Sequence, residues 1–199
     1  MYQIILASGS PRRKEILEQV GVTFTIKVSD KEEVMNSDNP DSLVKELSAM
    51  KARDVAERVS SPAIIIGADT VVAQNNIIFG KPRDKKHAKE MLSIMQNNSH
   101  KVYTGVCILI IEEDKTVREL SFAVASSVKV APMNESQIKA YIETNEPMDK
   151  AGAYAIQGKF APYILGIEGD YYNIVGLPIS SIYAELYKNG IDLITGKNI

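Results

Sequence analysis

The chain has 199 residues, of which 45% are hydrophobic and 24% charged, with a net charge of −2. This is the composition of a globular protein with a real core. It gives no basic excess for a general nucleic-acid surface, so any anion site must be a local gathering of cations. Cys107 is the single cysteine and lies in the apolar run 106–111. An intrachain disulfide is therefore excluded, and a buried strand cysteine in a reducing cytoplasm is the plain reading. No apolar run approaches bilayer length, and the N-terminus lacks a signal-peptide pattern, so neither a membrane nor an export role is expected. The two histidines, His87 and His100, have no Cys or His neighbour at ligand spacing. Any metal should then be a hard ion held by carboxylate and phosphate oxygens.

In chain order, Ile4-Ile5-Leu6 reads as a buried strand and runs into Ala7-Ser8-Gly9-Ser10-Pro11-Arg12-Arg13-Lys14. Ser10 suits an N-cap and Pro11 the first helical position, with Ile16, Leu17 and Val20 on the apolar stripe and Gly21 as the stop. Backbone N–H groups, two hydroxyls and three cations thus collect at one helix N-terminus, where an anion such as phosphate is favoured. Thr23 to Val28 reads as a strand, followed by an acidic loop, Ser29 to Glu33. An amphipathic helix carries Leu43, Val44, Leu47, Met50, Val55, Ala56 and Val59. Lys51 lies on its apolar stripe, so it either snorkels to solvent or meets an anion.

Ala63 to Ala68 reads as a buried central strand ending in Asp69-Thr70. A carboxylate in so apolar a stretch must be paired or bind a cation. Gln74-Asn75-Asn76 reads as a hairpin turn leading to Ile77-Ile78-Phe79. Gly80-Lys81-Pro82-Arg83-Asp84 follows, with Asp84 capping a helix that turns Ala88, Met91, Leu92 and Met95 inward. Lys101–Ile111 and Val117–Val130 read as an antiparallel pair, and Asn134 with Gln137 as a capping box. The stretch 146–158 is aperiodic and contains glycine, as ligand loops do. Ile164–Ile167 is a further strand, and the last helix runs from about Ile179 to Lys188. The expectation is one mixed α/β unit without repeats or a linker.

Cations at Arg12, Arg13, Lys51, Lys81 and Lys150 and carboxylates at Glu33 and Asp69 sit at element ends. This is the inventory a polyphosphate needs: cations hold oxygens and offset leaving-group charge, and carboxylates bind Mg²⁺ and prepare a water. Neither a P-loop nor a Gly-x-Ser-x-Gly elbow is present. A metal-assisted phosphoester or phosphoanhydride hydrolase is the reading these residues support.

The segments Leu6–Arg13, Ile66-Gly67-Ala68-Asp69-Thr70, Gly80-Lys81-Pro82, Asp149–Gly158 and Gly169–Pro178 together resemble the motifs of the Maf family, in order, over essentially the whole chain. That resemblance implies a single Maf-type domain, 1–199, with two lobes around one cleft. The implied fold is similar to inosine-triphosphate pyrophosphatase, an elongated mixed sheet flanked by helices with a central cleft. It implies hydrolysis of a nucleoside triphosphate to monophosphate and pyrophosphate with a divalent metal, Mg²⁺ or Mn²⁺, in the cytoplasm, by a homodimer. It implies Asp69 as proton acceptor and metal partner, Ser8, Arg13, Lys51 and Lys81 as phosphate contacts, and Glu33 as a second metal ligand, with Glu32 a close competitor. Arg12, Thr70 and Gln157 resemble the dTTP/UTP branch. Uracil and thymine place an N3–H donor between two carbonyl acceptors, a pattern that Gln157 can meet on both sides and Arg12 with donors. Cytosine reverses that pattern, and a mismatched base leaves buried groups unpaired. The rival readings are a nucleotide-binding regulator of cell division and a broader pyrophosphatase for non-standard nucleotides.

Overall fold

The computed structural model describes residues 1–199 except Met35, Ser61 and Asn76. A mixed seven-stranded sheet is its spine. In chain order the strands are β1 (Gln3–Leu6), β2 (Phe24–Ile26), β3 (Ala63–Gln74), β4 (Ile77–Phe79), β5 (Ser99–Ile111), β6 (Val117–Val130) and β7 (Ile164–Glu168). They lie in the order β2-β1-β3-β5-β6-β7, with β4 also paired to β3. The β2-β1-β3 side is parallel and the rest antiparallel. Among the described residues six α-helices flank the sheet: α1 (Pro11–Gln19), α2 (Pro40–Ala56), α3 (Lys85–Met95), α4 (Glu135–Glu143), α5 (Tyr171–Val175) and α6 (Ile179–Lys188).

Alternation along β3 distributes the core. Ile64 and Ile66 pack on one face with Ile16 and Leu17 of α1 and Ile182 and Leu186 of α6. Ile65 packs on the other with Ala49, Ala52 and Val55 of α2. Two glycines let α2 lie directly on that second face. A Cβ at Gly67 would stand 2.3 Å from the Ser48 carbonyl oxygen, and one at Gly105 2.2 Å from that of Val44. Any side chain there would push α2, and Lys51 with it, off the sheet.

Several expectations change. β3 does not end at Asp69-Thr70; it continues to Gln74, because β5 pairs with it through Ala73, with Asp69 opposite Gly105. The strand expected over 23–28 keeps only Phe24–Ile26, the three residues that pair with Ile4, Ile5 and Leu6 of β1. Ser10 occupies the N-cap of α1, but its side chain makes no capping bond. Asn134 and Gln137 do form the capping box. The hairpin between β3 and β4 is present through Gln74 opposite Ile77, while Asn76 of its turn lies outside the described residues. Among the elements not expected are α5, only five residues long, three short 3-10 helices between residues 146 and 163, and a small hairpin of β8 (Ile191–Asp192) and β9 (Lys197–Asn198). No helix among the described residues is long and apolar enough to cross a membrane.

Candidate active site

One edge of β3 creates the site. On that edge β1 partners residues 63–66 and β4 partners 72–74, so 67–71 have no strand beside them. Asp69 is at the middle of this gap. Open edges where neighbouring strands part are where α/β sheets hold ligands. A cleft of about 620 Å³ opens there, lined by all nine residues expected from the sequence: Ser8, Arg12, Arg13, Glu33, Lys51, Asp69, Thr70, Lys81 and Gln157.

Asp69 and Thr70 are consecutive on a strand and so face opposite sides of the sheet. Asp69 meets the α2 side. Lys51 Nζ donates to Asp69 Oδ1 at 2.6 Å and lies 2.7 Å from Glu33 Oε1. The lysine on the apolar stripe has thus met anions rather than snorkelled. Asp69 Oδ2 has no hydrogen-bond partner among the described residues. The loop bearing Glu33 is tied to the end of α2. Arg58 donates to the Val28 carbonyl at 2.9 Å and to Asp30 at 3.0 Å, and Asp54 accepts from the Asp30 N–H at 3.2 Å. Desolvation works against the Glu33 carboxylate, but the Lys51 hydrogen bond and the charges of Lys51, Lys81 and Arg13 outweigh it and hold its pKa below the ordinary glutamate value. Of the two glutamates in the acidic loop, Glu33 and not Glu32 lines the cleft.

Thr70 meets the α1 side, where Arg13 is buried with three partners. Its Nε donates to the Gly176 carbonyl at 2.8 Å, Nη1 to Ser8 Oγ at 2.9 Å and Nη2 to Thr70 Oγ1 at 3.0 Å. Burial pulls the guanidinium pKa down and Arg12 adds to this, while Asp69 and Glu33 oppose it. Three of five N–H donors are used, which leaves two. Ser8 Oγ accepts from Arg13 and from the Ser10 N–H at 3.3 Å, so its own proton stays available. The first helical bond of α1 runs from the Lys14 N–H to the Ser10 carbonyl. With no side-chain cap, earlier N–H groups of the turn are left for an anion.

Arg12, Lys81 and Gln157 form the rim, without a hydrogen-bond or ion-pair partner among the described residues. Lys150 also lines the cleft, paired with Asp149. Lys14, expected with the other cations, pairs instead with Glu18 at 3.5 Å, one helical turn on. Tyr154, behind the Gln157 loop, has its hydroxyl 2.7 Å from His100 Nε2.

Among the described residues, no three His, Cys, Asp or Glu side chains converge on a metal position. The protein offers two carboxylates, Asp69 and Glu33, which already converge on one cation, the Lys51 ammonium. That donor set fits a hard divalent ion that takes its remaining ligands from phosphate oxygens and water.

A family model described as Maf-like protein matches residues 3–189. The chain belongs to the Maf family. Among curated Maf relatives, one from Lachnoclostridium phytofermentans is 54% identical over 194 residues, covering 98% of each chain, and is named dTTP/UTP pyrophosphatase. A Bacillus anthracis protein of the same name is 47% identical, covering 97% of this chain and 98% of its own. A solved structure of the Staphylococcus aureus Ham1 protein aligns over 94% of this chain and 99% of its own, at 10% identity and a TM-score of 0.44.

Sequence reading missed Thr104, Asn173 and the Gly176 carbonyl. Thr104 and Asn173 stand behind Arg13 rather than in the cleft, while Gly176 lines the cleft and holds Arg13 through its carbonyl. The sequence signal for Asn173 and Gly176 was the Gly169–Pro178 segment, and Thr104 had none.

Proposed function

We propose that the chain hydrolyses dTTP and UTP to the nucleoside monophosphate and pyrophosphate through attack of water on the α-phosphorus. The observation that carries this reading is the convergence of Asp69, Lys51, Glu33, Arg13 and Ser8 at the open edge of β3. It is supported by near-full-length relatives named dTTP/UTP pyrophosphatase. Lys51 holds Asp69 Oδ1 and thereby orients Oδ2 to take the proton of the attacking water. The two remaining Arg13 donors, the Ser8 hydroxyl and Lys81 hold the triphosphate oxygens and offset the charge that develops on departing pyrophosphate. Asp69 and Glu33 would hold a divalent ion, Mg²⁺ or Mn²⁺. When bound, the ion supplies charge neutralisation on the phosphates and a lower pKa for a coordinated water.

At the rim, Gln157 reads both a donor and an acceptor on the base edge, and Arg12 adds donors. Thr70 keeps one lone pair outside its network, an acceptor for the N3–H of uracil or thymine. The enzyme acts on free nucleotides rather than nucleic acid or membranes, in the cytoplasm, as one domain of two lobes and as a homodimer.

The test is pyrophosphate release across a panel of nucleoside triphosphates, with Mg²⁺ and with chelator. Release from dTTP and UTP that chelator abolishes is the expected result. Release from none would favour a nucleotide-binding regulator, and release mainly from modified or purine nucleotides a broader house-cleaning enzyme.

A further inference from the structure

The segment 169–178 contributes no cleft side chain with catalytic chemistry, yet several polar contacts fasten it to the sheet, while Asn173 Oδ1 and Asp170 Oδ2 are buried without a hydrogen-bond partner among the described residues. Asn173 is fully buried, and its Nδ2 donates to the Val102 carbonyl on β5 at 3.0 Å and to Ser126 Oγ on β6 at 2.9 Å. A backbone carbonyl can only accept, so the amide nitrogen must face Val102 and the side-chain orientation is fixed. Ser126 Oγ also accepts from the Asp170 N–H and donates to the Asp170 carbonyl, both at 3.0 Å.

From this anchored segment two carbonyls lead to Arg13. Gly176 accepts directly from Nε at 2.8 Å. The Asn173 carbonyl accepts from Thr104 Oγ1 at 2.8 Å, and Thr104 Oγ1 lies 2.9 Å from Thr70 Oγ1, which accepts from Arg13 Nη2. The proton directions follow from chemistry alone. The carbonyl needs the Thr104 proton, so Thr70 must give its own proton to Thr104, and the Thr70 lone pair facing Arg13 is thereby fixed as an acceptor. The chain Arg13–Thr70–Thr104–Asn173 has one internally consistent polarity and ends on a rigid backbone. Thr104 and Asn173 are both fully buried, and neither lines the cleft.

We propose that Thr104 and the Asn173 carbonyl are positioning residues: through Thr70 they fix the plane of the Arg13 guanidinium, so that its two remaining donors point at the triphosphate. This rests on the reading of Arg13 as a phosphate contact. Holding a planar fork to its productive angle matters, because small misplacements of a binding group cost rate.

The test compares wild type, Thr104→Val, Thr104→Ser, Arg13→Lys and the Thr104→Val/Arg13→Lys double variant by kcat and KM for dTTP, with thermal melting to confirm folding. Valine keeps the shape and removes the hydroxyl, and about a tenfold loss of kcat/KM is expected from it. Serine keeps the hydroxyl and should stay within about twofold of wild type whatever its Tm. A lysine at position 13 has no fork to orient, so adding Thr104→Val to it should cost nothing further. Strictly additive losses, or a Thr104→Val enzyme with wild-type kcat/KM, overturn the positioning role while leaving Arg13 a phosphate contact. Full activity of Arg13→Lys alone overturns the reading of Arg13 and the positioning role with it. Should Thr104→Val not fold, NMR of the wild-type Arg13 guanidinium decides. Hindered rotation of its Nη groups supports the clamp, and free rotation overturns it.

Discussion

The two walls of the cleft are built on different principles. The inner wall, Ser8, Arg13, Thr70, Lys51 and Asp69, is buried or half-buried, and each of its side chains is held by at least one partner within the protein. The rim, Arg12 and Gln157 together with the phosphate contact Lys81, has no side-chain partners among the described residues. A phosphate chain is the same on every nucleotide, so its contacts can be fixed in advance at low reorganisation cost. Base recognition works through groups whose partners arrive with the ligand, and discrimination comes from leaving them unpaired with the wrong one. Glu33 lies between the two classes: exposed, yet drawn to Lys51.

The largest expected effect is on the inner wall. Asp69→Asn should lower kcat about 10³-fold or more, the scale of a lost general base, while nucleotide binding by calorimetry stays within a few-fold. Equal losses in kcat and affinity would make Asp69 a binding group only. The two adjacent arginines should then separate cleanly. Arg13→Met strips donors from three acceptors and should cost about 3 kcal/mol, or a fall of about 10 °C in Tm. Arg12→Met should change stability by less than about 0.5 kcal/mol and act instead on the base profile. Similar melting shifts for the two would erase the distinction between wall and rim.

Acid stability tests the seam where the rim loop meets the core. His100 is buried against Tyr154, and burial lowers its pKa from 6.5 to about 4. Between these values the unfolded chain binds a proton that the folded chain does not. Stability from this group is therefore full above pH 6.5, falls as pH drops toward 4 and changes no further below. The loss should reach roughly 3 kcal/mol at most. In His100→Gln that slope should disappear from melts recorded between pH 4 and 6.5. The smallest effect belongs to the rim: Gln157→Glu removes the amide donor and should weaken dTTP and UTP turnover about tenfold. A base profile unchanged by that substitution would remove Gln157 from recognition.

Much of this arrangement was legible in the sequence because the relevant residues break a local pattern. Lys51 interrupts an apolar helical stripe and Asp69 an apolar strand, and each anomaly marks the other's partner. The Ser8–Arg13 turn announced itself by Pro11 and Gly21 at the two ends of α1, with Gly21 at a φ of 76°. Illegible were features set by pairing between distant segments. That β3 continues past Asp69 depends on β5, more than thirty residues on, and that its other edge is bare depends on where β1 stops and β4 begins. Thr104 and Asn173 look like ordinary strand and turn residues until the fold stacks them behind Thr70. The five-residue α5 carries too short a pattern to be told from a loop.

Hydrolysis of dTTP in ¹⁸O-enriched water, followed by mass spectrometry of both products, tests the central claim most directly. Attack on the α-phosphorus beside Asp69 places the label in dTMP and none in pyrophosphate. Label in pyrophosphate, or orthophosphate as the first product, would show that the cleft directs water to a different phosphorus and would contradict the account.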